Sequence, residues 1–498
     1  MSLTKEELFK LQNGSDVRGV AIEGNGEAVT LTAEAVNRIA GAFAIWLQKK
    51  CGKDLVKIGV GHDSRLSAGA LSAAALAGAE AAGAKVIFCG LASTPSMFMG
   101  TVYEETAFDG SIMITASHLP YNRNGMKFFI QEGGLEKADI TELLILAENC
   151  QEQAAKRESV EKINLLDIYA ADLRGKIEEG VGPAKLSGFH IVVDASNGAG
   201  GFFARNVLEP LGASVDGSQY LEPDGNFPNH VPNPESPEAM ESLRGAVLKN
   251  KADFGLIFDP DVDRMSAVLE TGEEINRDAL IAMMAAIACK TAPGGTIVTD
   301  SVTSDKLTEF LEGSLKCRHR RFKRGYKNVI NECKRLNAEG TDSPLAIETS
   351  GHGAFRENYY LDDGCYMAVK MIIAAVNEKR SWGNITSLIR NLGKAKESRE
   401  YRMQITEADF KAHGQKVLAD FEKAAAGKGI FVVPDSCEGV RLSFKEAPSG
   451  WALLRSSLHD PVLALNVEGN GDGDCDAILA QVRELLGAGE GIDMKNIK

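Results

Sequence analysis

One design recurs three times along the chain: a short apolar run that ends in aspartate and leads into a polar turn. The three copies are residues 57–63, 189–194 and 296–300. A helix-length segment and a second β-branched run follow the first two copies, at 83–88 and 212–215, and a weaker equivalent follows the third, near 315–322. Strands that alternate with helices at this spacing are typical of βαβ units. The sequence therefore predicts three related α/β domains with mixed, mostly parallel sheets.

The last hundred residues follow a different pattern. Short strand-like runs at 430–433, 439–444, 451–456 and 462–467 precede a helical pattern at 475–486, which predicts a small α+β domain. The Gly- and Lys-rich residues 393–399 are interpreted as a linker. We therefore predict four domains, at 1–158, 159–275, 276–393 and 394–498, and a length of 498 residues agrees with about 100–200 residues per domain.

Composition excludes several function classes. A net charge of −14 argues against a nucleic-acid partner and means that a small anionic ligand would need a locally basic pocket. The nine cysteines are scattered without a CxxC pair, so reduced thiols are expected rather than a zinc site or a disulfide framework. No apolar segment reaches the ~20 residues that span a bilayer. We expect a cytoplasmic protein without a membrane partner.

The first candidate site lies after the apolar strand at 111–115. Ser117 stands beside His118, and Lys127 follows ten residues later. A seryl oxygen that carries a phosphate needs cationic neighbours, so Ser117 is a candidate nucleophile or phosphoryl carrier. The alternative is that Ser117 caps a turn and that His118 is an ordinary loop residue.

The second candidate site follows the apolar residues 252–258. Asp259, Asp261 and Asp263 alternate and so lie on one side of an extended segment, where three carboxylates favour a hard cation such as Mg²⁺. An EF-hand loop is a rival, since Glu270 is at its twelfth position, but Arg264 occupies the sixth, where glycine is needed. A phosphatase with an aspartate nucleophile is a second rival, and a solvated acidic turn is a third.

The third candidate site follows the strand-like residues 344–347. Glu348 and Ser350 are placed to accept two neighbouring hydroxyls of a polyol, and His352 is a candidate proton carrier. An ordinary polar loop is the alternative.

A fourth polar segment, residues 455–461, combines Arg455 with hydroxyl and imidazole donors. This set suits a phosphate monoester, although an ordinary polar turn has the same composition. The Gly-rich residues 194–201 lack the GxGxxG spacing and do not indicate a dinucleotide.

Taken in order, these motifs resemble the α-D-phosphohexomutase family, the phosphoglucomutase/phosphomannomutase enzymes. The resemblance covers nearly the whole chain and rests on residues 16–19, 63–65, 115–127, 224–228, 259–264, 325–327, 348–352 and 455–461. It implies four domains around a central cleft, with one loop from each domain. Phospho-Ser117 would convert a hexose 1-phosphate or 6-phosphate into a bound hexose 1,6-bisphosphate and then recover the other phosphoryl group.

The resemblance also assigns residues. The implied catalytic set is Ser117, His118, Lys127, Arg18, Arg264 and His352. The implied ligands of Mg²⁺ are Asp259, Asp261, Asp263 and an oxygen of phosphorylated Ser117. The implied substrate ligands are Arg65, Gly325, Tyr326, Lys327, Glu348, Ser350, Arg455, Ser456, Ser457 and His459.

The chain departs from the family pattern at a few positions. Leu119 stands where the family usually has Asn, His459 and Asp460 replace Thr-Glu, and residues 347 and 349 vary the sugar loop. The nucleophile and the metal ligands are retained, so we predict a phosphohexomutase for glucose and/or mannose phosphates, as a monomer or homodimer. The rival functions are a phosphoglucosamine mutase, an aspartate-nucleophile sugar phosphatase and a sugar-phosphate-binding protein without activity.

Overall fold

The computed structural model describes residues 3–154, 160–182, 185–381, 383–434, 436–457 and 460–497. Contacts between residues divide the chain into two compact units. Unit 1 comprises residues 1–280 and 350–387, and unit 2 comprises residues 281–349 and 388–498. None of the helices in the described ranges is long and apolar enough to cross a membrane.

Helix ends follow local capping chemistry. The long helix at 33–51 begins after Thr32, whose hydroxyl accepts a hydrogen bond from the Ala35 N–H, and ends at Gly52 with a left-handed φ of 63°. The α-helices are α1 (Lys5–Lys10), α2 (Ala33–Cys51), α3 (Ala68–Ala81), α4 (Thr94–Met99), α5 (Lys137–Asn149), α6 (Leu165–Val181), α7 (Pro237–Asn250), α8 (Arg277–Ala288), α9 (Asp305–Thr308), α10 (Tyr326–Ala338), α11 (Gly364–Arg380), α12 (Phe410–Gly427) and α13 (Asp474–Leu486).

The strands are mostly short and buried. In chain order they are β1 (Gln12–Asn13), β2 (Asp16–Val20), β3 (Lys57–His62), β4 (Lys85–Leu91), β5 (Gly110–Ile114), β6 (Arg123–Ile130), β7 (Gly133–Gly134), β8 (Glu161–Lys162), β9 (Ile191–Asp194), β10 (Phe254–Phe258), β11 (Met265–Leu269), β12 (Glu274–Ile275), β13 (Thr296–Thr299), β14 (Arg318–Arg321), β15 (Leu345–Ile347), β16 (Gly353–Phe355), β17 (Leu361–Asp362), β18 (Glu397–Gln404), β19 (Phe431–Val432), β20 (Val440–Phe444), β21 (Gly450–Ser456) and β22 (Val462–Gly469).

Unit 1 contains the first two copies of the repeated design. Its larger sheet has the order β1-β2-β6-β5-β3-β4-β8, with β7 beside β6. Strand β3 pairs in parallel with β4 and β5, and β6 pairs antiparallel with β5. Since parallel strands end at the same edge of a sheet, the residues that follow β3 and β5 lie side by side. This edge carries the first candidate site.

The second sheet of unit 1 has the order β12-β11-β10-β9, in which β9 and β10 are parallel and β11 is antiparallel. The predicted strand at 212–215 forms only a single bridge, between Ser214 and His190. The remaining strands of unit 1, β16 and β17, form an antiparallel pair.

Unit 2 contains the third copy and the C-terminal residues. Strand β13 pairs in parallel with β14 and β15, which confirms the third βαβ unit. The C-terminal sheet has the antiparallel order β18-β22-β21-β20-β19 and shares a core with α12 and α13. The predicted classes, mixed α/β sheets followed by an α+β domain, are confirmed.

Two sequence-based expectations about unit 2 were wrong. The predicted linker at 393–399 overlaps β18, which begins at Glu397 and is an edge strand whose residues alternate between less and more exposed. Free thiols were expected throughout, but Cys289 and Cys317 form a disulfide. Cys289 follows α8 and Cys317 precedes β14, so only the fold brings them together across 28 residues of sequence.

Candidate active site

Ser117 lies in the loop after β5 and is 1% exposed. Its Oγ donates to Asp259 Oδ2 at 2.7 Å and is 3.3 Å from His118 Nδ1. Its backbone has a φ of 51°, in the left-handed region that non-glycine residues adopt rarely. Thr115 stabilises this turn, because its Oγ1 accepts the Ser117 N–H at 2.9 Å. The loop therefore directs the serine hydroxyl at the acidic segment after β10.

The acidic segment is a buried cluster of three carboxylates. Asp259, Asp261 and Asp263 are each at most 1% exposed, and oxygens from all three lie within 4.8 Å of one another. Lys127 on β6 donates to Asp261 Oδ2 at 3.0 Å and to Asp263 Oδ2 at 2.5 Å. Thr94, at the start of α4, donates its hydroxyl to Asp261 Oδ2 at 2.6 Å.

The electrostatics of this cluster depend on which groups neighbour each carboxylate. Burial, with Asp263 and Asp261 nearby, raises the pKa of Asp259 well above its ordinary value. Burial acts in the same direction on Asp263, but Lys127 and Arg264 outweigh it and lower the pKa of that carboxyl. The cluster therefore holds more negative charge than Lys127 alone offsets.

The donor set fits a magnesium ion. Asp261 Oδ1 and Asp263 Oδ1 are buried and have no hydrogen-bond partner among the described residues. Buried carboxylate oxygens without donors are costly unless a cation binds them. Three carboxylate groups with free oxygens match the hard oxygen ligands that Mg²⁺ prefers. An EF-hand is excluded, because the segment runs from β10 into β11 instead of joining two helices.

Arg264 follows the acidic segment directly, and both its backbone and its side chain contact residues of the site. Its backbone N–H donates to Asp259 Oδ1 at 3.2 Å, and its side-chain Nε donates to His352 Nε2 at 3.1 Å. The other imidazole nitrogen, Nδ1, is 2.8 Å from Ser350 Oγ. Glu235 lies 4.0 Å from the guanidinium. Ser350 and His352 thus hold Arg264 in place, a contact that the predicted roles in sugar binding and proton transfer did not anticipate.

Both histidines of the site are neutral near pH 7. Burial, with help from Arg264 and Arg18, lowers the pKa of His118 to about 2. Burial, with Arg264 and Lys127, also lowers the pKa of His352 well below its ordinary value. Both imidazoles are therefore weak bases in this site.

Two arginines of the first domain flank the serine loop. Arg18 on β2 pairs with Asp16 at 2.9 Å and donates to Ala116 O at 3.2 Å, so it lies next to the serine loop. Arg65, expected to bind substrate, is instead 2% exposed and donates its terminal N–H groups to backbone carbonyls of the serine loop. The structure places Arg65 within the scaffold of the loop.

Unit 2 holds a second group of predicted residues. Gly325 N donates to Glu348 Oε1 at 2.6 Å, and Glu348 is 3% exposed at the end of β15. Arg455 lies 3.9 Å from Glu438, whose carboxylate also accepts from Arg324 N at 3.1 Å. Glu438, which the sequence did not single out, thus links the turn before α10 to the predicted phosphate loop.

The remaining predicted residues of unit 2 lie at or next to the ends of a helix and a strand. Tyr326 and Lys327 begin α10, and both are half-buried. Ser456 ends β21 and lines a cavity of about 390 Å³ with Lys323, Arg324 and Glu438. Ser457 N donates to Val462 O at 2.8 Å. His459 lies outside the described residues.

The structure therefore brings all of the predicted catalytic and metal residues together within unit 1. These are Ser117, His118, Lys127, Arg18, Arg264, His352, Asp259, Asp261 and Asp263. Sequence reasoning missed Thr94 and Thr115, whose hydroxyls complete the site. Thr94 has no sequence signal of its own, since it lies 167 residues from its partner Asp261, whereas Thr115 begins the 115–127 segment that also contains Ser117.

Comparisons with known proteins agree with this geometry. Family models described as phosphoglucomutase/phosphomannomutase, alpha/beta/alpha domains I, II and III match residues 10–153, 168–272 and 276–392. The phosphomannomutase/phosphoglucomutase of Pseudomonas aeruginosa is 30% identical over 95% of this chain and 94% of its own length. A phosphoglucomutase of Neisseria gonorrhoeae is 28% identical over 94% of each chain. The crystal structure of a phosphoglucomutase/phosphomannomutase family protein from Burkholderia thailandensis superposes with a TM-score of 0.79 at 27% identity, over 98% of each chain.

Proposed function

The chain belongs to the phosphoglucomutase/phosphomannomutase family, and we propose that it interconverts hexose 1-phosphates and hexose 6-phosphates with Ser117 as the phosphoryl carrier. In the first half-reaction the phosphoserine P–O bond breaks and a P–O bond to the free sugar hydroxyl forms. The product is a hexose 1,6-bisphosphate. In the second half-reaction its other phosphoryl group returns to Ser117. The enzyme is an isomerase-class phosphotransferase.

The observation that carries this proposal is the position of Ser117 Oγ. It lies 2.7 Å from Asp259, in a buried site that also contains Lys127, Arg18 and Arg264. A transferring phosphoryl group spreads negative charge over its oxygens, so catalysis depends on positioned cations more than on covalent chemistry. The site supplies the nucleophile and the positive charge in one buried place.

We assign the metal ligands to Asp259, Asp261 and Asp263, with an oxygen of phosphorylated Ser117. Bound Mg²⁺ would neutralise charge on the transferring phosphoryl group. Lys127 bridges Asp261 and Asp263 by donating to Oδ2 of both, and their Oδ1 atoms have no hydrogen-bond partner among the described residues. Thr94 donates to the same Oδ2 of Asp261 as Lys127 does.

His118 is assigned a place beside the serine hydroxyl, since its Nδ1 is 3.3 Å from Ser117 Oγ. Its lowered pKa makes the imidazole a weak base, so it contributes contact with the reacting group and not proton uptake. Lys127 and His352 are candidates for moving the proton of the sugar hydroxyl. In this arrangement Lys127 is hydrogen-bonded to two carboxylates and His352 accepts from Arg264, so each would first have to release a partner.

Substrate recognition and organisation complete the proposal. Glu348 and Ser350 are assigned to sugar hydroxyls, and the positions assigned to the phosphate that is not reacting are Gly325, Tyr326, Lys327, Arg455, Ser456, Ser457 and His459. Four domains at 1–158, 159–275, 276–393 and 394–498, a cytoplasmic location and a monomer or homodimer belong to the same proposal.

A coupled assay of the purified protein tests the function. Glucose 1-phosphate, mannose 1-phosphate and glucosamine 1-phosphate are supplied separately with Mg²⁺ and a trace of the matching bisphosphate, and the 6-phosphate is measured. We expect turnover of the glucose or mannose substrate. Turnover of glucosamine 1-phosphate alone would identify an amino-sugar mutase, and release of inorganic phosphate would identify a phosphatase.

A further inference from the structure

Arg65 binds the backbone of the serine loop with both ends of its guanidinium. NH1 donates to Pro120 O and Arg123 O, each at 2.8 Å. NH2 donates to Leu119 O at 2.6 Å and also to Ser117 O. One side chain therefore satisfies four carbonyls of the loop that carries the nucleophile. A guanidinium is suited to this task, because its donors form a rigid planar fork.

Asp63 connects Arg65 to the other side of Ser117. Its Oδ1 accepts a hydrogen bond from the backbone N–H of Arg65 at 3.0 Å, and its Oδ2 accepts one from the Thr115 hydroxyl at 2.7 Å. The Thr115 oxygen in turn accepts the Ser117 N–H. The two peptide groups that flank Ser117 are thus both tied to the Asp63–Arg65 pair, one through Thr115 and one directly. This network explains how a serine persists with a φ of 51°.

The turn at residues 224–227 covers the guanidinium of Arg65. The ring of Phe227 lies 5.4 Å from Arg65, a distance typical of a cation–π contact. Gly225 lies so close to the Ser64–Leu66 backbone that a Cβ would be 2.5 Å from Leu66 N. The turn at 224–227 therefore shields Arg65 from water and strengthens its hydrogen bonds to the loop.

We propose that Arg65 is a positioning residue for phosphoryl transfer and not a ligand of the substrate's phosphate. With Asp63, it fixes the backbone of Ser117 so that Oγ faces Asp259. The inference rests on the proposed role of Ser117 as phosphoryl carrier. A substrate phosphate could recruit Arg65 only by taking its donors from the four loop carbonyls, of which Ser117 O is buried, and this is unfavourable.

The test is Arg65→Lys, which keeps the charge but lacks the fork. Small displacements of a reacting group cost about 100-fold in rate, so kcat for glucose 1-phosphate should fall about 100-fold while KM is unchanged. Faster hydrogen exchange is expected in the peptide that contains residues 115–123. A raised KM with kcat retained would make Arg65 a substrate ligand and overturn the inference. Unchanged values of both kcat and KM would also overturn it.

Thr115→Val provides a second test that does not depend on Arg65→Lys folding. It removes the acceptor of the Ser117 N–H with little change of volume, and kcat should again fall at constant KM. Thr101→Val is the matched control, since it deletes a buried hydroxyl that contacts Phe98 O, away from the serine loop. Unchanged kcat in Thr115→Val would overturn the inference. Failure of the proposed function is seen separately, as wild-type protein without mutase turnover.

Discussion

Removal of Lys127 tests the electrostatics of the carboxylate cluster. The Lys127 side chain is 4% exposed and its ammonium group donates to two carboxylates that are at most 1% exposed. Lys127→Met keeps most of the side-chain volume and deletes the charge. The cluster then keeps three buried carboxylates without their nearest cation.

The magnitude follows from the burial of the pair. Breaking a buried ion pair by deleting one partner costs about 3–5 kcal/mol, because the remaining charge is left in a medium of low polarity. In EDTA, the free energy of unfolding of unit 1 should fall by about this amount. Saturating Mg²⁺ binds only the folded cluster and should recover part of the loss, so the stabilisation by Mg²⁺ is larger in the variant than in the wild type.

Urea denaturation in EDTA and in Mg²⁺, with hydrogen exchange of the β6 peptide to assign the change to unit 1, measures both effects. The matched control is Lys176→Met, since Lys176 forms a more exposed ion pair with Asp172. That pair should contribute no more than about 1 kcal/mol. Equal stability of Lys127→Met and the wild type in EDTA would refute the account of the cluster.

Three further predictions concern other parts of the chain. Thr94→Val should weaken Mg²⁺ binding about 10–100-fold, because it removes one of the two hydrogen bonds that position Asp261 Oδ2; a titration of Tm with Mg²⁺ measures this, and an unchanged affinity would contradict it. Gly225→Ala should destabilise the protein by about 1–3 kcal/mol through its backbone contacts, whereas Gly245→Ala, with open space around its Cβ, should not; equal denaturation midpoints would refute the packing argument. Burial lowers the pKa of His319 well below its ordinary value, so the unfolded chain takes up a proton that the folded chain does not, and stability should fall as pH drops below about 6.5. His319→Asn should flatten that dependence in denaturation series between pH 7 and 5, and an identical slope would contradict the assignment.

The repeated design could be predicted from the sequence because it is local. An apolar run that ends in aspartate needs only a few adjacent residues to be recognised, and β3, β9 and β13 form where it occurs. The same holds for Asp259, Asp261 and Asp263, whose clustering follows from alternation along one extended segment. Strand β18 was missed because half of its residues are charged, which resembles a solvated linker.

The direction in which a side chain points could not be predicted. Arg65 follows an aspartate in a polar turn, as a ligand of a phosphate would, but the fold buries it against the carbonyls of a loop 52 residues away. His352 belongs to a motif that suggests proton transfer, yet its contact with Arg264 depends on β10 and β16 lying in one unit. Long-range pairing decides such roles, and a single sequence does not contain it.

Phosphorylation of Ser117 is the most direct test of the central claim. The protein is incubated with glucose 1,6-bisphosphate and Mg²⁺, and intact mass and peptide mapping then locate any bound phosphoryl group, with Ser117→Ala measured in parallel. The account predicts one phosphoryl group on the Ser117 peptide of the wild type, none on the variant, and loss of mutase activity in the variant. Full activity in Ser117→Ala, or a phosphoryl group on Asp259 instead, would contradict it.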